Sequence, residues 1–130
     1  GPHRGAYPFA IVTGGRQVGT VGISDHGETV ELGYWIGRAF WGRGFATEAA
    51  RLAVGFAFAH LKLEELEAGH FVDNAASGRV LAKLGFIYTR TVARFSKARD
   101  CDVDCRMMIL PRERFAAVQN DSEGGTDHGG

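Results

Sequence analysis

A glycine-rich segment near the middle of the chain separates two kinds of hydrophobic periodicity. Before it, over Thr29–Ile36, apolar residues alternate with others, which is the period of a β-strand. After it, from Phe45 to about Leu61, apolar residues recur at the three- and four-residue spacing of an α-helix. The segment itself, WGRGFAT at residues 41–47, therefore lies where a strand turns directly into a helix. This junction predicts a mixed α/β domain.

The rest of the pattern predicts the element order βββ-α-β-α-ββ. The predicted strands are Tyr7–Thr13, Arg16–Ser24, Thr29–Ile36, Glu65–Val72, Ile87–Val92 and Val103–Leu110. The first three are joined by tight turns, so they form an antiparallel meander. The second helix begins at a cap, Asp73 or Asn74, and Gly85 ends it. The first helix has an apolar face formed by Ala49, Leu52, Ala53, Phe56 and His60. Val54, Phe58 and Leu61 add apolar surface on a second side, so we expect this helix to be buried broadly.

Length and charge exclude several classes of protein. The chain has 130 residues, 45% of them hydrophobic, which is enough to build a core without disulfides or a metal. Its 15 Lys and Arg balance 15 Asp and Glu, which disfavours nucleic acid as a partner. No apolar run is long enough to span a membrane. We expect a folded domain over residues 4–118 and a disordered, glycine-rich tail over residues 119–130.

The two cysteines, Cys101 and Cys105, do not form a disulfide framework, so a reducing cytoplasm is the expected compartment. Three aspartates surround them, but the spacing lacks partner histidines and fits no zinc-ligand pattern. We therefore predict ordinary thiols and no metal site.

The glycine-rich segment has the chemistry of an anion site. Glycine lets backbone N–H groups approach a ligand closely, and a helix N-terminus adds a partial positive charge. A diphosphate is the natural occupant. The segment is neither a Walker A loop nor a dinucleotide fingerprint, because no Gly-Lys-Ser/Thr follows it and no βαβ unit contains it. A tight turn without any ligand is the alternative.

Three segments together resemble the GNAT superfamily of acetyl-CoA-dependent N-acetyltransferases, most closely its RimJ/RimL-like branch. They are ELGYWIG at residues 31–37, WGRGFATEA at 41–49 and DNAASGRVLAKLGF at 73–86. The resemblance implies a GNAT-like fold, which is a mixed and mostly antiparallel sheet with flanking helices. It also implies transfer of an acetyl group from acetyl-CoA, as cosubstrate, to a primary amine in a ternary complex. The amine would belong to a protein N-terminus or to a small molecule.

The resemblance also implies which residues hold the coenzyme. The pantetheine arm would pair with the end of the third strand, and the pyrophosphate would bind at the loop and the first helical turn. The residues implied are Trp35, Ile36, Gly37, Gly42, Arg43, Gly44, Phe45, Ala46, Thr47, Asn74 and Ser77.

Three residues are candidates for catalysis. Glu31 alternates onto the same strand face as Trp35, and the resemblance implies a base glutamate near this point; an exposed glutamate is the alternative. Ser77 matches a family serine that stabilises or protonates the leaving thiolate, although a serine in a first helical turn also satisfies backbone groups. Many family members carry an acid tyrosine where this chain has Leu81. His70, at the end of a central strand, could relay a proton or be structural.

A complete GNAT fold begins with a strand and two helices, whereas only a few residues precede the first strand predicted here. We expect the uncovered apolar surface and unpaired strand edge to favour association into a homo-oligomer. The same departure leaves an alternative function open, that of a non-catalytic domain which binds coenzyme A or acts as a scaffold.

Overall fold

The computed structural model describes residues 5–37, 41–42 and 44–118, and of Ile36 the backbone only. Arg4, Arg43 and the predicted tail lie outside the described residues. The strands are β1 (Gly5–Thr13), β2 (Arg16–Asp25), β3 (Val30–Ile36), β4 (Glu65–Phe71), β5 (Ile87–Ser96) and β6 (Cys101–Pro111). The helices are α1 (Phe45–His60), α2 (Ala75–Lys83) and α3 (residues 112–118). No helix of the described part is long and apolar enough to cross a membrane.

All six strands form one sheet in the order β1-β2-β3-β4-β6-β5. Every neighbouring pair is antiparallel except β3 and β4, which are parallel. At the turn between β1 and β2, Gly14 and Gly15 both have positive φ, 57° and 76°, the conformation that a two-residue hairpin turn requires. The predicted mixed, mostly antiparallel sheet and its opening meander are confirmed.

The parallel strands β3 and β4 separate soon after they meet. Their only paired residues are Glu31 with Glu67 and Leu32 with Ala68. Beyond these pairs β3 continues to Ile36 and β4 to Phe71 without a backbone ladder between them. The sheet therefore contains a wedge-shaped gap, called the β3/β4 gap below, which opens toward the carboxyl ends of both strands. The helices α1 and α2 follow these two ends.

Helix α1 buries only part of the predicted face, together with residues of its second apolar side. Its buried residues are Ala49, Ala50, Ala53, Val54, Ala57 and Phe58. Leu52 is 71% exposed and His60 is also exposed, whereas Phe56 packs edge-on against Phe9 of β1 at 5.2 Å between ring centroids. The helix is apolar on several sides, so periodicity alone could not select one. Small alanine side chains let a helix approach a sheet closely, and that face is the one buried.

The second half of the chain matches the predicted elements, with β5 and β6 longer than predicted, β4 one residue shorter, and one additional helix. Asn74 is the N-cap of α2, and its Oδ1 accepts a hydrogen bond from Ser77 N. Gly85 follows the end of α2 with φ of 103°, as predicted. β5 extends to Ser96 because it pairs with β6 along its whole length. Most β5 side chains are exposed, so no alternating apolar pattern marked its end.

Candidate functional site

Helix α1 begins at Phe45, after β3 has ended at Ile36 on the open side of the β3/β4 gap. Gly42 and Gly44 both have φ of 79°, a left-handed conformation that favours glycine, and a Cβ on either would meet no atom within 4 Å. Gly44 is the N-cap of α1, and its carbonyl accepts the hydrogen bond from Glu48 N at 3.1 Å. The first helical turn, Phe45–Thr47, directs backbone N–H groups toward the helix N-terminus. This open loop and helix start can accommodate an anion.

The edge of β3 supplies backbone groups to the β3/β4 gap. Gly37 N donates to Val18 O of β2 at 2.8 Å, so this N–H points away from β4. Successive backbone groups of a strand point to opposite neighbours. The N–H groups of Tyr34 and Ile36 therefore point toward the side of β4, whereas that of Trp35 points toward β2. An extended ligand with amide groups could continue the sheet along this edge.

Glu31 lies at the closed end of the gap, on the sheet face away from the helices. Its carboxylate accepts hydrogen bonds from Arg94, Nη1 to Oε2 at 2.9 Å and Nη2 to Oε1 at 3.4 Å. This carboxylate in turn raises the pKa of the Arg94 guanidinium. The side chain of Glu31 is 20% exposed and that of Arg94 is 42% exposed. Arg94 engages both oxygens but leaves each of them a further lone pair. The role of Glu31 as base stays a prediction.

Ser77 is held by two partners at the other side of the gap. Its backbone N–H is bound by Asn74, as described above, and its Oγ lies 2.8 Å from the hydroxyl oxygen of Tyr34. The Tyr34 hydroxyl also lies 3.4 Å from the Ser77 carbonyl oxygen. Burial raises the pKa of Tyr34, and the Ser77 hydrogen bond offsets part of that rise. Tyr34 on β3 thereby connects to α2 across the opening.

Tyr34 was missed in the sequence, where it forms part of the apolar row of β3. Its ring does pack against the core. The hydroxyl group was the available signal, because a half-buried tyrosine normally needs a hydrogen-bond partner. Only the fold shows that this partner is Ser77, 43 residues further along the chain.

His70 lies beneath α2, with both ring nitrogens engaged. Nδ1 is 2.8 Å from the carbonyl oxygen of Phe71, which can only accept, so Nδ1 carries a hydrogen. Nε2 is 2.9 Å from the Tyr88 hydroxyl. The imidazole is only 6% exposed. These contacts suit a structural side chain, and the proposed proton relay through His70 stays a prediction.

The remaining predicted site residues differ in exposure. Trp35 is 62% exposed on the same sheet face as Glu31. Cys101 is exposed, whereas Cys105 is buried, and burial raises the pKa of its thiol. Within residues 5–37, 41–42 and 44–118, no three His, Cys, Asp or Glu side chains come together in a way that could hold a metal ion.

Taken together, these groups can bind a long ligand that carries a phosphate at one end and amide groups along its length. The loop and first turn of α1 suit a phosphate group, the β3 edge suits amide groups, and Ser77 with Tyr34 offers hydroxyl groups between them. Glu31 offers a carboxylate at the closed end. An acyl group carried on such a ligand would lie among potential hydrogen-bond donors.

Known proteins share both this sequence and this architecture. The sequence profile of the acetyltransferase (GNAT) domain matches residues 1–87. Probable N-acetyltransferase YjcK of Bacillus subtilis is 43% identical over 86 residues, covering 62% of this chain and 48% of that protein. Uncharacterized N-acetyltransferase p20 of Bacillus licheniformis is 31% identical over 102 residues, covering 76% of this chain and 57% of that protein. The chain thus spans about half the length of these curated relatives.

A solved structure extends the likeness beyond the profile. Mycobacterium smegmatis RimJ in complex with CoA-disulfide aligns with a TM-score of 0.80 and 26% identity, covering 94% of this chain and 61% of that one. The match includes strands beyond residue 87, so it supports the whole described sheet. The resemblance predicted from three sequence segments is confirmed, and the chain belongs to the GNAT acetyltransferase domain family.

Proposed function

We propose that this domain binds acetyl-CoA and transfers its acetyl group to a primary amine of a protein N-terminus or a small molecule. The β3/β4 gap carries the proposal, because it leaves the end of β3 without a strand partner on the side of β4, and α1 follows that end of β3 in the chain. The glycine loop and Phe45–Thr47 would hold the pyrophosphate. The N–H groups of Tyr34 and Ile36 would bind the pantetheine amides as an added strand does. The family membership and the coenzyme A in the RimJ structure support this assignment.

The proposed transfer needs no covalent protein intermediate. The amine nitrogen bonds to the acetyl carbon, the carbon–sulfur bond breaks, and its electron pair remains on sulfur. Glu31 accepts the proton that the amine loses, at a carboxylate lone pair that Arg94 does not occupy. Ser77 and Asn74 lie at the start of α2, where Ser77 would donate a hydrogen bond to the departing sulfur. Backbone N–H groups of β3 would stabilise the oxyanion.

Calorimetric titration of acetyl-CoA tests the binding part of the proposal. We expect micromolar affinity, about −8 kcal/mol, and loss of binding in Gly44→Val, where a branched side chain fills the space above the loop. Gly14→Val is the matched control, since Gly14 is also left-handed and open but lies in the β1–β2 turn. Equal loss in both variants, or unchanged affinity in Gly44→Val, would remove the pyrophosphate site.

Replacement of Glu31 tests the catalytic part. In Glu31→Gln we expect kcat/KM for an amine acceptor to fall by at least about 100-fold, the typical contribution of a general base. Glu67→Gln is the matched control, because Glu67 pairs with Glu31 across β3 and β4 and is also bound by an arginine, Arg90. If Glu67→Gln has the larger effect, the base is Glu67. If neither has an effect, no carboxylate here acts as the base.

A non-catalytic coenzyme A-binding domain is the second candidate. The double hydrogen bond from Arg94 to Glu31 favours it, because it gives this carboxylate a structural partner within the chain. Tight acetyl-CoA binding without acetylation of peptide N-termini or small amines would support this candidate. Turnover of any amine would exclude it.

A further inference from the structure

A phenol and an alcohol from distant parts of the chain meet at the β3/β4 gap. The Tyr34 hydroxyl oxygen lies 2.8 Å from Ser77 Oγ and 3.4 Å from the Ser77 carbonyl oxygen. Tyr34 is anchored in β3 by its strand pairing with Val21, and Ser77 is anchored in α2 by its N-cap. Both backbones are therefore fixed, and the hydroxyl hydrogens are the groups left to reorient.

Two arrangements of these hydrogens satisfy the same heavy atoms. In the first, Tyr34 donates to the Ser77 carbonyl oxygen and Ser77 Oγ donates to Tyr34. In the second, Tyr34 donates to Ser77 Oγ, and the Ser77 hydrogen is released to bind another acceptor. An anion near Ser77 selects the second arrangement, because only that arrangement points a hydrogen at it.

We propose that Tyr34 is a positioning residue for acetyl transfer, which orients the Ser77 hydroxyl toward the sulfur that leaves. The inference rests on the proposed function. When the carbon–sulfur bond breaks and the electron pair stays on sulfur, Ser77 donates a hydrogen bond to that sulfur and Tyr34 donates one to Ser77. Linked hydrogen bonds of this kind polarise one another and strengthen the outer one.

Neither hydroxyl loses its proton in this scheme. Burial raises the pKa of Tyr34 above its ordinary value of 10.0, whereas a free alkyl thiol ionises near about 8.5. A thiolate is therefore too weak a base to deprotonate the phenol. Solvent supplies the proton that finally converts the thiolate to a thiol.

Without the phenol, the serine hydrogen has a competing partner close by. A serine in the first turn of a helix readily turns its hydroxyl to a backbone carbonyl of the preceding turn. In Tyr34→Phe the ring and its packing remain, but the group that accepts from or donates to Oγ is lost. We expect the Ser77 hydroxyl to bind the backbone and to leave the sulfur without a donor.

Binding of coenzyme A and of desulfo-coenzyme A tests the proposal without turnover. At about pH 9, where much of the thiol is ionised, we expect the wild type to prefer coenzyme A over the desulfo analogue by roughly tenfold, the value of one hydrogen bond to a charged group. Tyr34→Phe and Ser77→Ala should each lose this preference. Tyr7→Phe is the control, because Tyr7 lies on β1 with its ring against Phe56.

Kinetics and a double variant separate positioning from packing. In Tyr34→Phe we expect kcat to fall about tenfold and KM for acetyl-CoA to stay within about twofold. The double variant Tyr34→Phe/Ser77→Ala should match Ser77→Ala, because Tyr34 acts through Ser77. Additive losses, or a sulfur preference that survives in Tyr34→Phe, would overturn the proposal. If the wild type binds neither coenzyme A nor its desulfo analogue, the proposed function fails and this inference fails with it. If Tyr34→Phe behaves as wild type while Ser77→Ala does not, this inference fails and the proposed function stands.

Discussion

At Gly78, the absence of a side chain allows α2 to lie close to the sheet. A Cβ at this position would lie 2.8 Å from His70 Nε2 and 2.9 Å from the Tyr88 hydroxyl, both closer than such contacts permit. Glycine inside a helix normally costs about 1 kcal/mol relative to alanine. Here that cost is offset by the close contact of α2 with the His70–Tyr88 hydrogen bond.

Gly78→Ala should therefore destabilise the protein although alanine is the better helix former. We expect the free energy of unfolding to fall by about 1–3 kcal/mol, the usual cost of overpacking. Gly55→Ala in α1 is the control, since a Cβ there meets nothing within 4 Å and should stabilise by about 0.5–1 kcal/mol. Urea denaturation of both variants checks the opposite signs. A stabilised Gly78→Ala would contradict the packing described for α2.

The raised pKa of Tyr34 makes stability depend on pH at the alkaline end. Above about pH 10 the unfolded chain loses the phenol proton, whereas the folded protein keeps it. The unfolded state is then stabilised, and the free energy of unfolding falls by up to about 1.4 kcal/mol per pH unit until the folded pKa is passed. Below about pH 10 the Tyr34 hydroxyl is protonated in both states, so it does not make the free energy of unfolding depend on pH.

In Tyr34→Phe this alkaline slope should be absent. Denaturation curves of the wild type and the variant, measured at matched pH values between about 9 and 11, isolate the contribution, because other titrating groups are common to both. Parallel curves would mean that the pKa of Tyr34 is the same in the folded and unfolded states.

Among the elements, α2 begins with a capping interaction that can be tested separately. Asn74 Oδ1 accepts from Ser77 N at 3.2 Å. We expect Asn74→Ala to reduce the free energy of unfolding by about 0.5–2 kcal/mol, whereas Asn74→Asp should retain most of the stability because aspartate also caps helices. Thermal or urea denaturation measures both. Equal losses would indicate that the asparagine contributes through its amide nitrogen rather than its cap.

Sequence patterns located the elements better than they located contacts between elements. The glycine segment, Asn74 and Gly85 were predictable because turns and caps depend on local backbone conformation. The buried surface of α1 was predictable only in part. Ala49, Ala53, Val54 and Phe58 are buried as expected, whereas Leu52 is exposed because packing against the sheet selects the alanine-rich side. α3 also escaped prediction: it is short and has no strong helical pattern.

In the candidate site, too, features of a single segment were predictable and contacts between segments were not. The loop at Gly42–Thr47 was predictable because its anion chemistry is a backbone property of one segment. The link between Tyr34 and Ser77, and the hold of Arg94 on Glu31, were not, because each joins residues of separate strands and helices. The roles predicted for Glu31, Ser77 and His70 remain to be tested.

At the scale of the whole molecule, apolar side chains of β1 and α1 remain in contact with water. Val12 is 59% exposed and Leu52 is 71% exposed, on either side of a groove of about 570 Å³. β1 is also an edge strand of the described sheet. These features fit the self-association expected from the sequence.

Leu52→Glu should weaken that association. Because Leu52 is exposed, we expect the free energy of unfolding of this variant to differ from that of the wild type by no more than about 0.5 kcal/mol. Light scattering at high concentration should show a smaller mass for the variant than for the wild type. Ile87→Glu, on the opposite edge strand β5, is the control and should leave the mass of the wild type. A wild type that is monomeric at every concentration would rule the association out.

The short β3–β4 ladder divides the sheet into two halves. One half contains β1–β3 and α1, and the other contains β4–β6 and α2. Only two residue pairs of the β3–β4 ladder join the strands of one half to those of the other. Beyond these pairs the two halves are held together by the shared hydrophobic cluster, which includes Leu32, Ala50 and Ala68, and not by a backbone ladder. A ligand whose amide groups completed the ladder would bind the folded chain alone, so the free energy of unfolding would rise with the concentration of that ligand.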